Sequence, residues 1–227
     1  MKLNILHEDK HILCLIKPQG MPSQSDKTND EDLMSEAEKY LSEKGERPYL
    51  GLIQRLDRPV GGVIVYAKNE FANKELSRQV QQRETQKEYY AVVCGEAHEK
   101  EVVLEDYLKK LKTINMSKVT SSEDKAAKPA KLKYEVMETV LTEEYGMLSL
   151  LKITLYTGRH HQIRVQLSNA RLPIWGDNKY NKAFVKKKEF TSIALWSHKF
   201  GFKHPKTKEH VEFTSLPNSY PFTLFNI

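Results

Sequence analysis

Residues 54–67 read QRLDRPVGGVIVYA. The stretch changes character at Gly61-Gly62. Before it stands a charged loop with Asp57 between Arg55 and Arg58; after it runs an apolar, β-branched segment, residues 62–67, that reads as a strand buried on both faces. Ala72, Leu76 and Val80 then recur at helical spacing and predict a helix over residues 70–83. Upstream, residues 4–16 begin and end apolar around a polar turn, which predicts a hairpin, and Lys17-Pro18-Gln19-Gly20 breaks it. Residues 23–31 are polar and turn-rich and read as a loop. Asp30 or Asp32 then caps a helix over about 32–45, with Leu33, Ala37, Tyr40 and Leu41 on one stripe. Downstream, residues 89–94 (YYAVVC) are strand-like and stop at Gly95.

Residues 112–130 are charged, small and poor in apolar side chains, and read as a long surface loop between strands. Strands resume at 132–140 and 147–156. Ile163, Leu167 and Ala170 mark a short helix, and further strands are expected at 191–203 and 210–215. Strand follows strand more often than helix does, so the fold class is α+β rather than regular βαβ.

The 227 residues hold 36 Lys plus Arg against 30 Asp plus Glu, a formal net charge of +6. That surplus is compatible with a polyanionic partner without requiring one. Hydrophobic residues at 39% and charged residues at 29% describe a globular chain with a core. No apolar run reaches the roughly 20 residues of a membrane span. Glu8 and Asp9 stand where a signal peptide would be greasy. Cys14 and Cys94 are too few for a disulfide framework or a four-ligand zinc site, so a reducing, cytoplasmic setting is expected. No phosphate-binding loop, dinucleotide fingerprint, zinc-protease helix or nucleophile elbow is present.

Three segments carry candidate chemistry. In residues 54–62 either arginine, folded back, would keep Asp57 ionised, and an ionised, partly desolvated carboxylate is a competent nucleophile. The plain alternative is a loop aspartate making turn or salt-bridge contacts. Gly61 and Gly62 would let backbone approach another chain or a ligand. In residues 87–95 (KEYYAVVCG), Tyr89 and Tyr90 point to opposite faces of a strand; one packs in the core while the other offers its ring to a ligand. In residues 156–167 (YTGRHHQIRVQL), Arg159, His160 and His161 fall near a helix N-terminus, where anions are favoured. Arg164 lies one turn further in, beside the apolar stripe, and requires a carboxylate partner, for which Asp57 is the candidate. His160 and His161 point about 100° apart on a helix and lack a third ligand at metal spacing, so no metal is expected.

Taken together these segments resemble the RluA-type RNA pseudouridine synthases. Residues 5–20 are similar to that family's opening strands and Lys-Pro-x-Gly turn. Residues 55–68 resemble its catalytic-aspartate motif, residues 87–95 its Lys-x-Tyr-x-Ala motif, and residues 157–167 its Thr-Gly-Arg-x-His-Gln-Ile-Arg motif. Leu172-Pro173-Ile174, Gly176-Asp177 and the tail His204-Pro205 to Leu216-Pro217 fit as well. The resemblance implies a mixed, largely antiparallel sheet with flanking helices and a central active-site cleft. It implies a single catalytic domain over residues 1–227, without the N-terminal S4-type domain that many members carry. It makes Asp57 the catalytic aspartate, Tyr89 the active-site tyrosine packing on the base, and Arg164 the arginine paired with the aspartate. Arg55 resembles the residue that enters the RNA stack when the uridine leaves, and Arg159, His161 and Gln162 fall in the RNA-binding motif. No cofactor is implied, and the partner is ribosomal or transfer RNA, bound by a monomer. Lys182–Lys188 (KAFVKKK) is a candidate RNA-contact loop. The family has His where this chain has Gln54, Thr-Ser-Gly where it has Val60-Gly61-Gly62, and Thr where it has His160. A catalytically altered RNA-binding module on the same fold is the alternative. A glycosidic hydrolase would need a second carboxylate, and none stands out.

Overall fold

The computed structural model describes residues 2–26, 30–186 and 191–227. The chain forms two compact units, Met1–Lys87 with Ser197–Leu216, and Glu88–Trp196 with Pro217–Ile227.

The first unit opens with β1 (Ile5–Glu8) and β2 (Ile12–Lys17), followed by α1 (Leu33–Glu43), β3 (Gly51–Leu52), β4 (Gly61–Ala67) and α2 (Glu70–Gln81). The second unit takes up β5 (Gln86–Cys94) from Glu88 on and continues through β6 (Glu101–Leu111), β7 (Met116–Thr120), β8 (Lys128–Thr142) and β9 (Gly146–Leu155). It also holds α3 (Gln162–Asn169), α4 (Lys182–Val185) and a final 3₁₀ turn, Phe222–Leu224. The chain returns to the first unit within β10 (Leu195–Lys203) and adds β11 (His210–Thr214). Sheet elements outnumber helices, and the class is α+β.

In the first unit β4 lies between β2 and β10, with β1 beyond β2 and β11 against β10. Every residue of β4 is buried, which is why its sequence is apolar throughout rather than alternating. Val63, Val65 and Ala67 share one face with Ile12 and Cys14 of β2, and Ala72 and Leu76 of α2 pack into that cluster with Phe200 and Phe202 of β10. Asp32 caps α1: its Oδ1 accepts from the Ser35 N–H at 3.0 Å. Asn69 caps α2 in the same way through Ala72, at 2.9 Å. The positive φ of Gly62, 114°, has a structural cause, since a Cβ there would overlap the Ser197 carbonyl oxygen of β10. This glycine lets backbone approach a neighbouring strand.

In the second unit the strand order is β5–β9–β8–β6–β7, with antiparallel pairs throughout. The expected loop at 112–130 is a correction. Met116–Thr120 is the edge strand β7, joined to β6 by the turn 112–115, and β8 begins at Lys128. Edge strands tolerate charge because one side of the ladder faces water, so the weak apolar signal there disguised a strand. Val119 of β7 packs on Leu108, Ala130 and Val165, which ties the hairpin to α3.

Gly62→Ala is expected to cost more than about 3 kcal/mol, because the new methyl meets backbone and the φ is unfavourable for any L side chain. Urea unfolding measures it; a loss below about 1 kcal/mol would contradict the close-approach reading.

Candidate active site

The first unit holds Arg55 and Asp57 on the segment between β3 and β4. Arg55 is exposed and Asp57 is half-buried. The residues flanking Asp57 are fixed through their backbone. On one side Ser23 Oγ donates to the Leu56 carbonyl at 3.0 Å and accepts from the Leu56 N–H at 3.2 Å. Ser23 is itself anchored by the fully buried Tyr66, whose hydroxyl donates to the Ser23 carbonyl at 2.6 Å. On the other side the Arg58 carbonyl accepts from the Gly20 N–H at 2.9 Å and from Lys17 Nζ at 3.1 Å. Beyond these, the Val60 N–H donates to the Asp57 carbonyl at 2.9 Å, closing a tight turn.

Lys17 ends β2 as a completely buried lysine. Its Nζ also donates to the carbonyls of Pro18 at 2.9 Å and Met21 at 2.6 Å. Burial pushes its ammonium down to about 7, against the pull of the Asp57 carboxylate, while Arg58 adds to the depression. Three carbonyls use all three ammonium protons, so the charged form is the one whose donors are all matched. The Lys-Pro-Gln-Gly turn and the aspartate loop are thereby stitched into one piece. Arg58, one of the two arginines expected to fold toward Asp57, reaches Asp30 Oδ2 at 2.6 Å and the Gly20 carbonyl at 3.0 Å. Gln54, where the resembled family has His, donates to the Val63 carbonyl at 3.3 Å.

The second unit holds Tyr89, Arg159, His161, Gln162 and Arg164. Tyr89 and Tyr90 stand on β5 opposite Ile153 and Lys152. Both are largely buried, Tyr89 at 7% and Tyr90 at 9% exposure. The segment leading into α3 is organised by Gln162. Its Oε1 accepts from Thr157 Oγ1 at 2.8 Å and from the Arg159 N–H at 2.9 Å, and its Nε2 donates to the Lys131 carbonyl at 3.2 Å. The Lys131 N–H in turn donates to Thr157 Oγ1 at 2.8 Å. Arg159 is half-buried, and its Nε donates to the Pro129 carbonyl at 3.0 Å.

His161 is the N-cap of α3 in a left-handed conformation, φ 54°. The Tyr180 hydroxyl oxygen accepts the Ser117 N–H at 2.7 Å, which leaves its proton for His161 Nδ1 at 2.9 Å. Burial, reinforced by the positive charge of Arg164, His160, Lys179 and Lys110, pushes the imidazole down to about 2. A neutral ring accepting at Nδ1 agrees with that direction. His160 stacks on it with ring centroids 3.8 Å apart and engages Ser117 Oγ at 2.9 Å.

Arg164 lies in the first turn of α3, not one turn further in, because the helix starts only at Gln162. Its Nε and Nη2 donate to the two oxygens of Asp177 at 2.8 and 2.7 Å, a bidentate pair in which both side chains are almost wholly buried. Asp177 Oδ1 also accepts from the N–H groups of Lys179 and Tyr180, at 2.9 and 3.1 Å. A carboxylate so matched holds the guanidinium rigid. Ser23, Tyr66, Asp177 and Tyr180 carry this scaffolding, and the sequence reading gave none of them a role. A lysine closing an apolar strand and an aspartate within an apolar turn were the available signals. Lys187 and Lys188 of the expected basic loop lie outside the described residues, and Lys182 opens α4.

Residues 11–169 match the family model described as RNA pseudouridylate synthase, and the chain belongs to that family. An uncharacterized RNA pseudouridine synthase of Helicobacter pylori strain J99 is 32% identical over 220 residues, covering 94% of this chain and 66% of the relative. The tRNA pseudouridine synthase C of Haemophilus ducreyi is 31% identical, covering all of this chain and 96% of its own length. The chain thus spans about two thirds of the first relative and nearly all of the second. Among solved structures, human RNA pseudouridylate synthase domain containing 1 superposes with a TM-score of 0.79 over 99% of this chain and 86% of its own, at 22% identity, which shows the shared fold. No described helix is long and apolar enough to cross a membrane.

His161 generates a pH signature. Its pKa is about 2 folded and about 6.5 unfolded, so below pH 6.5 the unfolded chain takes up a proton that the folded chain refuses. Stability is full above pH 6.5 and falls as pH drops toward 2, by at most about 1.4 kcal/mol per pH unit from this group. Urea unfolding across that range should show a shallower fall for His161→Phe than for the wild type; parallel curves would contradict a buried neutral imidazole.

Proposed function

We propose that this chain isomerises uridine to pseudouridine in structured ribosomal or transfer RNA, with the Asp57 carboxylate as the reacting group. The observation that carries this reading is the fixation of the Asp57 loop on both sides, at Leu56 and at Arg58, in a chain of the pseudouridylate synthase family. A nucleophile held by its backbone costs little reorganisation at the moment of reaction. Redox and phosphoryl chemistry have no part in it: the N1–C1′ bond breaks, the base turns, C5–C1′ forms, the C5 proton leaves and N1 regains one. Asp57 acts at C6 of the base or C1′ of the sugar, or assists loss of the base as a glycal.

In this reading Tyr89 packs on the base and receives the C5 proton, and Arg164, kept in place by Asp177, is the arginine that pairs with the Asp57 carboxylate. The target base is unreachable inside a helix and is flipped out at a cost of a few kcal/mol. The exposed Arg55 fills the vacated place in the stack. Arg159 contacts RNA directly, whereas His161 and Gln162, both buried, support the RNA-binding segment by setting its backbone. The enzyme works as a cytoplasmic monomer without cofactor or metal.

The test is tritium release from RNA labelled at C5 of uridine, prepared from cells lacking the protein. The wild type should release tritium, Asp57→Ala should lose at least about 10³-fold in rate, and Asp57→Asn should bind the RNA without reacting. RNA binding by the wild type with no release from any cellular RNA would establish the altered binding module instead.

A further inference from the structure

We propose that the face of β6, β7 and β8 that adjoins the start of α3 is an RNA-phosphate surface, formed by Lys110, Lys112, Lys128, Lys179 and Arg159. This rests on the reading that the substrate is RNA. It extends the contact from the target nucleotide to the flanking backbone.

The strand register sorts the lysines of this hairpin into two sets. Lys109, Lys118, Lys131 and Lys133 share the face turned away from α3; Lys109 holds Asp124 at 2.8 Å, Lys131 holds Glu105 at 2.6 Å, Lys133 holds Glu101 and Glu135 at 3.0 and 2.9 Å, and Lys118, opposite Lys109, also acts on the Asp124 carboxylate. Four lysines against four carboxylates leave that face without a surplus of positive charge to attract a polyanion. The opposite parity behaves differently. Lys110 faces Ser117, whose hydroxyl binds His160, and Lys128 faces Leu108, which packs on Val165 of α3. Both therefore lie on the α3 side. Lys110, Lys112 and Lys128 are exposed, and among the described residues none forms an ion pair.

Further cations converge there. Lys179 Nζ donates to the Asn115 carbonyl at the hairpin tip, 2.9 Å away, and the Arg159 side chain lies along β8 at Pro129. Lys110 and Lys179 are both close enough to oppose protonation of His161. The acidic groups on the same side are engaged: Asp106 accepts from Gln166 Nε2 at 2.8 Å, and Asp177 holds Arg164. Lys110, Lys112 and Lys128, joined by Lys179 and Arg159, form a basic surface without matching carboxylates at the three hairpin lysines, which is the electrostatic footprint of a phosphate-binding surface. The recognition is sequence-independent, so it selects long or structured RNA over a free nucleoside.

The experiment measures the affinity of a fluorescein-labelled transfer RNA transcript by anisotropy across a salt series. It compares the wild type with Lys110→Gln/Lys112→Gln/Lys128→Gln and with the control Lys109→Gln/Lys131→Gln/Lys133→Gln. Each phosphate contact contributes about 0.7–0.9 to the slope of log K against log salt, so the first variant should lose about 2 to 3 from the slope and bind at least about tenfold more weakly near 0.1 M salt. The control should match the wild type. An unchanged slope in the first variant, or an equal loss in the control, overturns the proposal. Tritium release by the wild type is read in parallel: release with an unchanged slope defeats this surface alone, and no release with a changed slope defeats the isomerase reading alone.

Discussion

A buried ammonium ties the Asp57 loop to the rest of its unit. Lys17 is removed from water, which is costly for a charge, and the cost is offset only because three carbonyl oxygens receive its three protons. Two of those carbonyls belong to its own turn and the third to Arg58, next to Asp57. The loop cannot drift without leaving a buried charge short of a partner. Ser23 repeats the arrangement at lower stakes on the other side, with a neutral hydroxyl serving both polar groups of Leu56. The Asp57 carboxylate adds a favourable charge interaction with the Lys17 ammonium.

The second unit solves a similar problem with different groups. Gln162 draws together Thr157, Arg159 and Lys131, so the segment entering α3 is fixed by one amide. Asp177 fixes Arg164 bidentately, and the neutral His161 links the helix cap through Tyr180 to Ser117 of the hairpin. In both units, groups proposed to meet RNA are held by neighbours that do not meet it. Preorganisation of this kind suits a reaction in which a detached base must be kept oriented until it recombines.

Much of this was legible in the residues. Apolar periodicity marks β4, α1 and α2 because each is packed on a defined face, and the ordered motifs by themselves indicate the family. The edge strand β7 was missed because exposure permits charge, which erases the pattern that betrays buried strands. Gly62 signalled a close approach, but only the fold shows that the neighbour is the Ser197 carbonyl. The partnership of Arg164 with Asp177 could not be read from a thirteen-residue separation. It depends on the turn that returns residues 173–177 to the helix start. Burial of Tyr90 beside Tyr89 was equally invisible, since alternation assigns opposite faces without saying whether both are covered. The departures from the family pattern are now partly explained: Gln54 supports the β4 backbone, and His160 braces the hairpin against α3.

We propose that the carboxylate of Asp57 is what converts uridine in cellular RNA. The most direct test is a transcriptome-wide map of pseudouridine in cells lacking the gene, complemented with the wild type or with Asp57→Asn. The account predicts that a small set of uridines regains the modification only with the wild type. Restoration by Asp57→Asn, or maps that do not differ at any position, would contradict it.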